Sequence, residues 1–189
     1  MIIDFKEQQI GNYTIPAFTL SAGEIVVIKL PNNSDFYYTT KALNDLFSET
    51  CQTQFTTISK PVVYVTHFFK YNRVLGMLFP ITVGKWFRKN ANKSNPIYEE
   101  IYNEIEWLTP KTKINYLNGY NRRLLSIYTT LSWTNNIIVD FMGIDQEGCK
   151  KTYALLKKVA NNGGAIILYD CFADFKDDFT LCIEAKSLV

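Results

Sequence analysis

Residue types that mark several common classes of functional site are scarce in this chain of 189 residues. It has one histidine, His67, and its four cysteines, Cys51, Cys149, Cys171 and Cys182, show no pairwise metal-ligand spacing. These residues therefore do not predict a zinc site. Scattered cysteines in a chain of this size are typical of a protein from a reducing cytoplasm.

The chain also has neither a large excess of charge of one sign nor a long apolar run. The net charge is +2 and 20% of the residues are charged, so the chain lacks the basic field of nucleic-acid-binding proteins. No apolar run approaches the roughly 20 residues that a membrane-spanning helix needs. The charges of Asp4, Lys6 and Glu7 argue against a signal peptide. We expect a cytoplasmic protein, either soluble or peripheral on the inner face of a membrane, with no nucleic-acid partner.

The apolar pattern predicts an α/β fold in a single domain over residues 1–189. Alternating apolar residues indicate strands near the start of the chain, and short apolar runs in the second half indicate buried strands that alternate with helices. This alternation favours a parallel sheet flanked by helices, to which the first part adds antiparallel strands. The predicted strands are Ile2–Phe5, Tyr13–Leu20, Glu24–Leu30, Val63–His67, Asn136–Asp140, Ala165–Tyr169 and Phe179–Ala185, and the predicted helices are Thr39–Ser48, Tyr98–Leu108 and Gln146–Ala160.

The most specific motif is the segment LNGYNRR, which opens a predicted helix. It resembles the LSGGQ signature of ATP-binding cassette (ABC) ATPases, in which amides at the helix start bind the γ-phosphate of ATP held by the opposite subunit. Asn118 is a suitable N-cap, but Tyr120 replaces the second glycine of the signature and blocks close backbone approach. An ordinary amphipathic helix that begins with Asn-Gly at an exposed position is the alternative. The signature positions are Leu117, Asn118, Gly119, Tyr120 and Asn121.

The next motif is an apolar run that ends in Asp140, as in a buried parallel strand with a carboxylate at its C-terminal end. In the ABC family this aspartate organises Mg²⁺ and a glutamate base follows it, but here Phe141 follows and cannot accept a proton. Asp145 matches the D-loop aspartate of the family and is also a suitable N-cap for the helix after it. The switch histidine of the family falls on Asp170 or Cys171.

The phosphate-binding loop of the family, G-x-x-x-x-G-K-[ST], has lost its glycines and its lysine. Aligned without gaps, Phe36 takes the place of the lysine and Tyr37 that of the hydroxyl residue. A register shifted by two residues places Tyr38 at the lysine, with Thr39 and Thr40 at the hydroxyl positions. Asp35 adds negative charge where phosphates would lie. The positions that match this degenerate loop are Asn32, Asn33, Asp35, Phe36 and Tyr37.

Two further segments resemble the family more distantly. His67 takes the place of the Q-loop glutamine at the end of a predicted strand, although a packed or solvated imidazole is the favoured explanation. Leu78–Gly84 resembles the start of the helical subdomain. The resemblance implies a P-loop-NTPase-like mixed sheet and a trimmed helical subdomain that, with the signature region, covers about residues 80–135.

Three functions remain open at this point. The first is a catalytically inactive ABC-type subunit that pairs with another cassette, of the same or a different chain, or with a membrane permease in a transport or export/immunity system. The second is a stand-alone binding or scaffold protein, and the third is a weak or atypical ATPase. The resemblance implies no catalytic residue, no resident metal site, and ATP with Mg²⁺ only in a composite site shared with a partner.

Overall fold

The computed structural model describes residues 1–31, 33–67, 81–170 and 179–188. These residues group into two compact units. The first consists of Met1–Tyr64, Asn135–Phe141 and Tyr153–Val189, and the second consists of Val65–Thr134 and Met142–Thr152. Most strands belong to the first unit, while the second is largely helical.

A five-stranded parallel sheet forms the centre of the first unit. Its strands are β5 (Ile25–Lys29), β8 (Val63–Tyr64), β9 (Asn136–Asp140), β10 (Ala165–Asp170) and β11 (Leu181–Glu184). They lie side by side in the order β11-β5-β10-β9-β8, and every neighbouring pair is parallel. All five residues of β9 are buried, which explains why it is a continuous apolar run in the sequence. The predicted α/β class with a parallel sheet is confirmed.

Two small antiparallel sheets supply the predicted N-terminal β part of this unit. Their strands are β1 (Ile3–Phe5), β2 (Gln8–Ile10), β3 (Tyr13–Ile15), β4 (Phe18–Leu20), β6 (Cys51–Gln52), β7 (Thr56–Ile58) and β12 (Lys186–Ser187). One sheet has the order β4-β1-β7-β6 and the other β12-β3-β2. The single strand predicted over Tyr13–Leu20 is wrong, because the chain leaves the sheet at Pro16, which has no N–H to donate.

Five α-helices lie within the described residues. They are α1 (Phe36–Phe47), α2 (Val83–Asn90), α3 (Ile101–Glu104), α4 (Gly119–Leu131) and α5 (Gln146–Asn161), with 3₁₀ turns at Pro96–Glu100 and Ile114–Tyr116. The long helix predicted over Tyr98–Leu108 is wrong. The chain leaves α3 at Ile105, with φ −128° and ψ 91°, and this bend buries both Ile105 and Leu108. No described helix has the length and apolar character needed to cross a membrane.

The apolar core of the first unit fixes the position of α1. The rings of Phe5, Phe18 and Phe47 stack or meet edge to face, with centroids 5.0–6.1 Å apart. Phe36 and Leu43 belong to the same cluster of buried side chains, so α1 contributes to the core from its first residue to its last. The start of α1 is therefore held by packing.

Candidate functional site

The candidate site in the first unit lies at the carboxyl ends of the parallel strands. Lys29 at the end of β5 is the register partner of Asp170 at the end of β10, and Tyr169 is the partner of Asp140 at the end of β9. Parallel strands end at one edge of a sheet, and ligands of such sheets bind beyond that edge. The sheet therefore brings the segment after β5 to the same edge as Asp140 and Asp170. The switch role of Asp170 remains a prediction, and Asn32 lies outside the described residues.

The loop between β5 and α1 uses its polar side chains to hold its own turn. Asn33 donates from Nδ2 to the hydroxyl of Tyr13 at 2.5 Å, and its Oδ1 accepts from the backbone N–H of Asp35 at 3.0 Å. The Asp35 carboxylate accepts from Asn12 Nδ2 at 2.9 Å. No described residue of this loop has a positive φ, whereas many anion-binding nests alternate right-handed and left-handed residues. The described part of the loop is thus stabilised by an internal side-chain hydrogen bond and by hydrogen bonds to Asn12 and Tyr13.

Phe36 and Tyr38, the two residues that the alternative alignments match to the loop lysine, lie in different surroundings, and neither supplies a cation. Phe36 is only 7% exposed and packs in the core, whereas Tyr37 and Tyr38 are 67% and 71% exposed with their rings edge to face. Thr40 donates to the carbonyl of Phe36 at 2.8 Å, and Thr39 is buried. These residues do not fit a triphosphate, since a buried ring or a solvated phenol takes the place of the ammonium group.

Asp140 forms a buried hydrogen bond with a tyrosine of the neighbouring strand. The hydroxyl of Tyr64 on β8 donates to Asp140 Oδ2 at 2.5 Å, and Asp140 is 3% exposed. On β10, the hydroxyl of the fully buried Tyr169 donates to Asn44 Oδ1 at 3.1 Å. Sequence analysis missed Tyr64, whose only signal is a phenol within an apolar strand. One carboxylate oxygen at the expected Mg²⁺ position is thus occupied by a protein donor.

The absence of a resident metal at this edge remains a prediction. Within the described residues, no three His, Cys, Asp or Glu side chains group closely enough to hold a metal ion. Phe141, in the place of the catalytic base, is half-buried. The proposed loss of catalysis at these positions remains a prediction.

Buried tyrosines are expected to make the folded chain less stable at alkaline pH. Burial raises the pKa of Tyr169 well above 10, and Tyr64 and Asp140 raise it further. Burial, then Glu104, raises the pKa of Tyr128 as well. A raised folded-state pKa of a tyrosine gives stability that is complete below the unfolded pKa of about 10 and is lost as pH rises toward the folded pKa. We expect the free energy of unfolding to fall above pH 10 by about 1.4 kcal/mol per pH unit for each such tyrosine.

Urea unfolding at pH 9, 10 and 11 measures this dependence. The Tyr169→Phe variant is the control, since its curve should fall by about 1.4 kcal/mol per pH unit less than that of the wild type. Parallel curves for the two proteins would contradict a buried, protonated Tyr169.

In the second unit, the signature segment begins α4 as the sequence predicts. Asn118 Oδ1 accepts from the N–H of Asn121 at 2.8 Å, which confirms the N-cap. Leu117 is buried, and the buried Arg123 donates from Nη1 to the carbonyl of Val65 at 2.7 Å. The segment is therefore anchored at both ends by side chains that serve the fold of this unit.

Gly119 is exposed, but it does not tolerate a side chain as an open helix start would. A Cβ atom at this position would lie 2.6 Å from the carbonyl oxygen of Gly143. The backbones of the two glycines therefore approach each other closely, and any larger residue must displace the loop before α5. A bulky substitution at Gly119 would thus test this backbone packing as well as any partner surface.

Tyr120 lies in acidic surroundings beside the start of α5. Its Cδ2 would be 2.9 Å from a Cβ built on Gly148, so the ring covers that glycine. Burial raises the pKa of Tyr120, and Glu104, Glu147 and Asp145 raise it further. Asp145 Oδ1 accepts from the N–H of Gly148 at 2.7 Å, which confirms its N-cap role. Three carboxylates around the second signature-glycine position disfavour a phosphate there.

The remaining predicted positions of the second unit are only partly described. His67 is half-buried. Its Q-loop role remains a prediction. Of the segment Leu78–Gly84, residues 78–80 lie outside the described residues, and Thr82 caps α2 by accepting from the N–H of Lys85 at 3.3 Å.

Comparison with solved structures shows which known folds the chain resembles. No protein-family model and no curated protein sequence matches the chain. A Pyrococcus furiosus protein described as a candidate ATP-binding protein of an ABC transporter superposes with a TM-score of 0.70 at 15% identity, covering 97% of each chain. An ATP-binding subunit of an ABC transporter gives a TM-score of 0.66 at 14% identity, covering 100% of this chain and 90% of the other.

A third similar structure is an archaeal ribosome recycling factor in complex with a ribosomal stalk protein. It superposes with a TM-score of 0.55 at 11% identity, covering 88% of this chain and 37% of its own. These identities are too low to transfer function, but the agreement extends over the whole length of the first two structures. The chain therefore has an ABC ATPase-like fold.

Proposed function

We propose that this chain is a non-catalytic ABC-type subunit that pairs with another cassette or with a membrane permease. The observation that supports this most directly is the burial of Phe36 in the apolar core, at the position where the loop of an ATPase has its lysine. Phosphoryl transfer depends on positioning and on electrostatic stabilisation of the phosphates, so a chain without that cation lacks the main catalytic contribution.

The pairing does not require ATP at the signature segment of this chain. In ABC dimers this segment would face the phosphates of a partner. Here Glu104, Glu147 and Asp145 contribute to the raised pKa of Tyr120, and their negative charge opposes a bound triphosphate. We infer that the signature segment contacts its partner through side chains and backbone, with no nucleotide between them.

Exposed apolar side chains offer a way to test this surface without disturbing the backbone. Met142 precedes Gly143 in the loop that packs on Gly119, and its side chain is 55% exposed. Phe55 is an exposed apolar residue of the first unit, in the segment between β6 and β7, and serves as the matched position. Charged residues are depleted in the centres of protein interfaces, so a glutamate there weakens binding.

Affinity purification of the full chain from its native host, with mass spectrometry of what is captured, tests the proposal. We expect a cassette protein or a membrane permease to be captured by the wild type and by Phe55→Glu, and the Met142→Glu variant to lose most of it. Circular dichroism checks that both variants are folded. Capture of neither class of protein would favour the stand-alone scaffold, and equal capture by both variants would exclude the loop before α5 from the interface.

A further inference from the structure

The second unit contains a cavity whose lining includes no residue of the phosphate loop or of the signature segment. Its volume is about 490 Å³, within the range of small-molecule sites. It lies between α2, the 3₁₀ turn at Pro96–Glu100, α3, and the segment around Pro110. Residues that line it include Phe87, Tyr98 and Tyr102, and its polar lining includes Lys85, Arg88, Lys111 and Glu99.

Aromatic rings form the apolar wall of this cavity. The ring of the buried Phe87 has its centroid 4.9 Å from that of Tyr98 and 6.3 Å from that of Tyr102. Both tyrosines are half-buried, so part of each ring remains accessible to a ligand. Burial, then Glu99 and Tyr98, raises the pKa of Tyr102 to about 12, which leaves its hydroxyl protonated as a hydrogen-bond donor at neutral pH. The wall thus offers flat apolar surface and a neutral donor.

Backbone hydrogen bonds hold the opposite wall in place. Gly84 donates to the carbonyl of Pro110 at 3.0 Å, and Val83 donates to the carbonyl of Thr112 at 2.9 Å. A Cβ at Gly84 would lie 2.9 Å from Pro110 Cβ, so only glycine permits this close approach. A wall fixed in this way needs little ordering when a ligand binds.

The charges at the cavity favour an anion of low charge. Lys85, Arg88 and Lys111 contribute three positive charges and Glu99 one negative charge, a net of +2. All four side chains are exposed, and within the described part of the chain none of them forms an ion pair. Each negative charge of a ligand is attracted by the three cations and repelled by Glu99, and a single carboxylate is enough to accept hydrogen bonds from the cations while adding only one charge near Glu99.

We propose that this cavity binds a small organic monoanion with a flat aromatic body, of the class of aromatic carboxylates. The carboxylate meets Arg88 and the two lysines, and the ring lies against Tyr98 and Tyr102. This site is independent of the phosphate loop and of the signature segment, so it stands whether or not the chain pairs with a partner.

A pair of probes with the same ring and opposite charge tests the proposal on the intact chain. Indole-3-acetate and tryptamine are titrated into ¹⁵N-labelled protein, and amide shifts report both affinity and location. We expect saturable amide shifts with indole-3-acetate around residues 82–88 and 98–102 and at Lys111. The affinity for tryptamine should be weaker by a factor of about ten or more, which corresponds to a difference of at least about 1.4 kcal/mol.

Two charge reversals on the last turn of α2 give a matched comparison. Arg88 lines the cavity, whereas its exposed neighbour Lys89 does not. The Arg88→Glu variant should bind indole-3-acetate about tenfold more weakly, and Lys89→Glu should change the affinity by less than about twofold. Equal losses in both variants, equal binding of the two probes, shifts centred elsewhere, or no saturation below about 10 mM would each overturn the proposal.

Discussion

The Phe36→Lys variant is expected to lower the free energy of unfolding by about 3 kcal/mol. The substitution places a lysine at the position that the ungapped alignment matches to the lysine of the ABC phosphate loop. In this chain the position is 7% exposed and belongs to the core cluster of the first unit. The variant loses the packing of a buried ring and brings an ammonium group to the edge of an apolar core. The aliphatic part of a lysine side chain can extend so that its ammonium group reaches solvent. The loss in free energy of unfolding should therefore lie near the lower end of the range measured for buried phenylalanines.

The adjacent position supplies the control for this experiment. Tyr37 is 67% exposed, so Tyr37→Lys should change the free energy of unfolding by no more than about 0.5 kcal/mol. Urea unfolding at neutral pH, with equal m-values, compares the two variants. If Phe36→Lys were as stable as the wild type, the side chain at position 36 would face solvent, and this result would contradict the burial on which the proposed loss of ATP binding rests.

A second large effect is expected from the pair formed by Tyr64 and Asp140. Asp140→Ala should destabilise the chain by about 2–3 kcal/mol, since it removes the buried carboxylate that accepts the hydrogen bond of the Tyr64 hydroxyl. Tyr64→Phe should destabilise it by about 1–2 kcal/mol. The double variant should be more stable than the sum of the two losses predicts, with a coupling energy of about 1–2 kcal/mol.

Added Mg²⁺ separates a structural aspartate from a metal-binding one. A metal-binding aspartate can accept the same hydrogen bond with its second oxygen, but added Mg²⁺ would then stabilise the wild type and not Asp140→Ala. Additive losses or such Mg²⁺ stabilisation would contradict the structural role assigned to Asp140.

Local patterns in the sequence predict the elements that are decided by nearby residues. The strand Asn136–Asp140 agrees with β9 at both ends, because a continuous apolar run that ends in a carboxylate has few alternatives. The helix predicted from Gln146 begins correctly, because Asp145 is a local cap. The stop after it is also local, since Gly163 adopts φ +85° just beyond the end of α5.

Interactions between distant residues account for what the sequence does not predict. The bond from Tyr64 to Asp140 joins residues 76 positions apart, so it depends on the pairing of β8 with β9. The close approach of Gly119 to Gly143 likewise requires the folded second unit. The helix α2 was missed because its sequence is basic and polar, and only Val83 and Phe87 reach the interior.

Calorimetric titration of the intact chain with Mg-ATP tests the central claim most directly. The claim is that the segment after β5 holds no triphosphate, since the buried Phe36 or the exposed Tyr38 takes the place of the lysine and Asp35 adds negative charge. We predict no binding tighter than the millimolar range, which corresponds to about −4 kcal/mol. Micromolar binding of Mg-ATP would contradict the claim and favour an atypical ATPase.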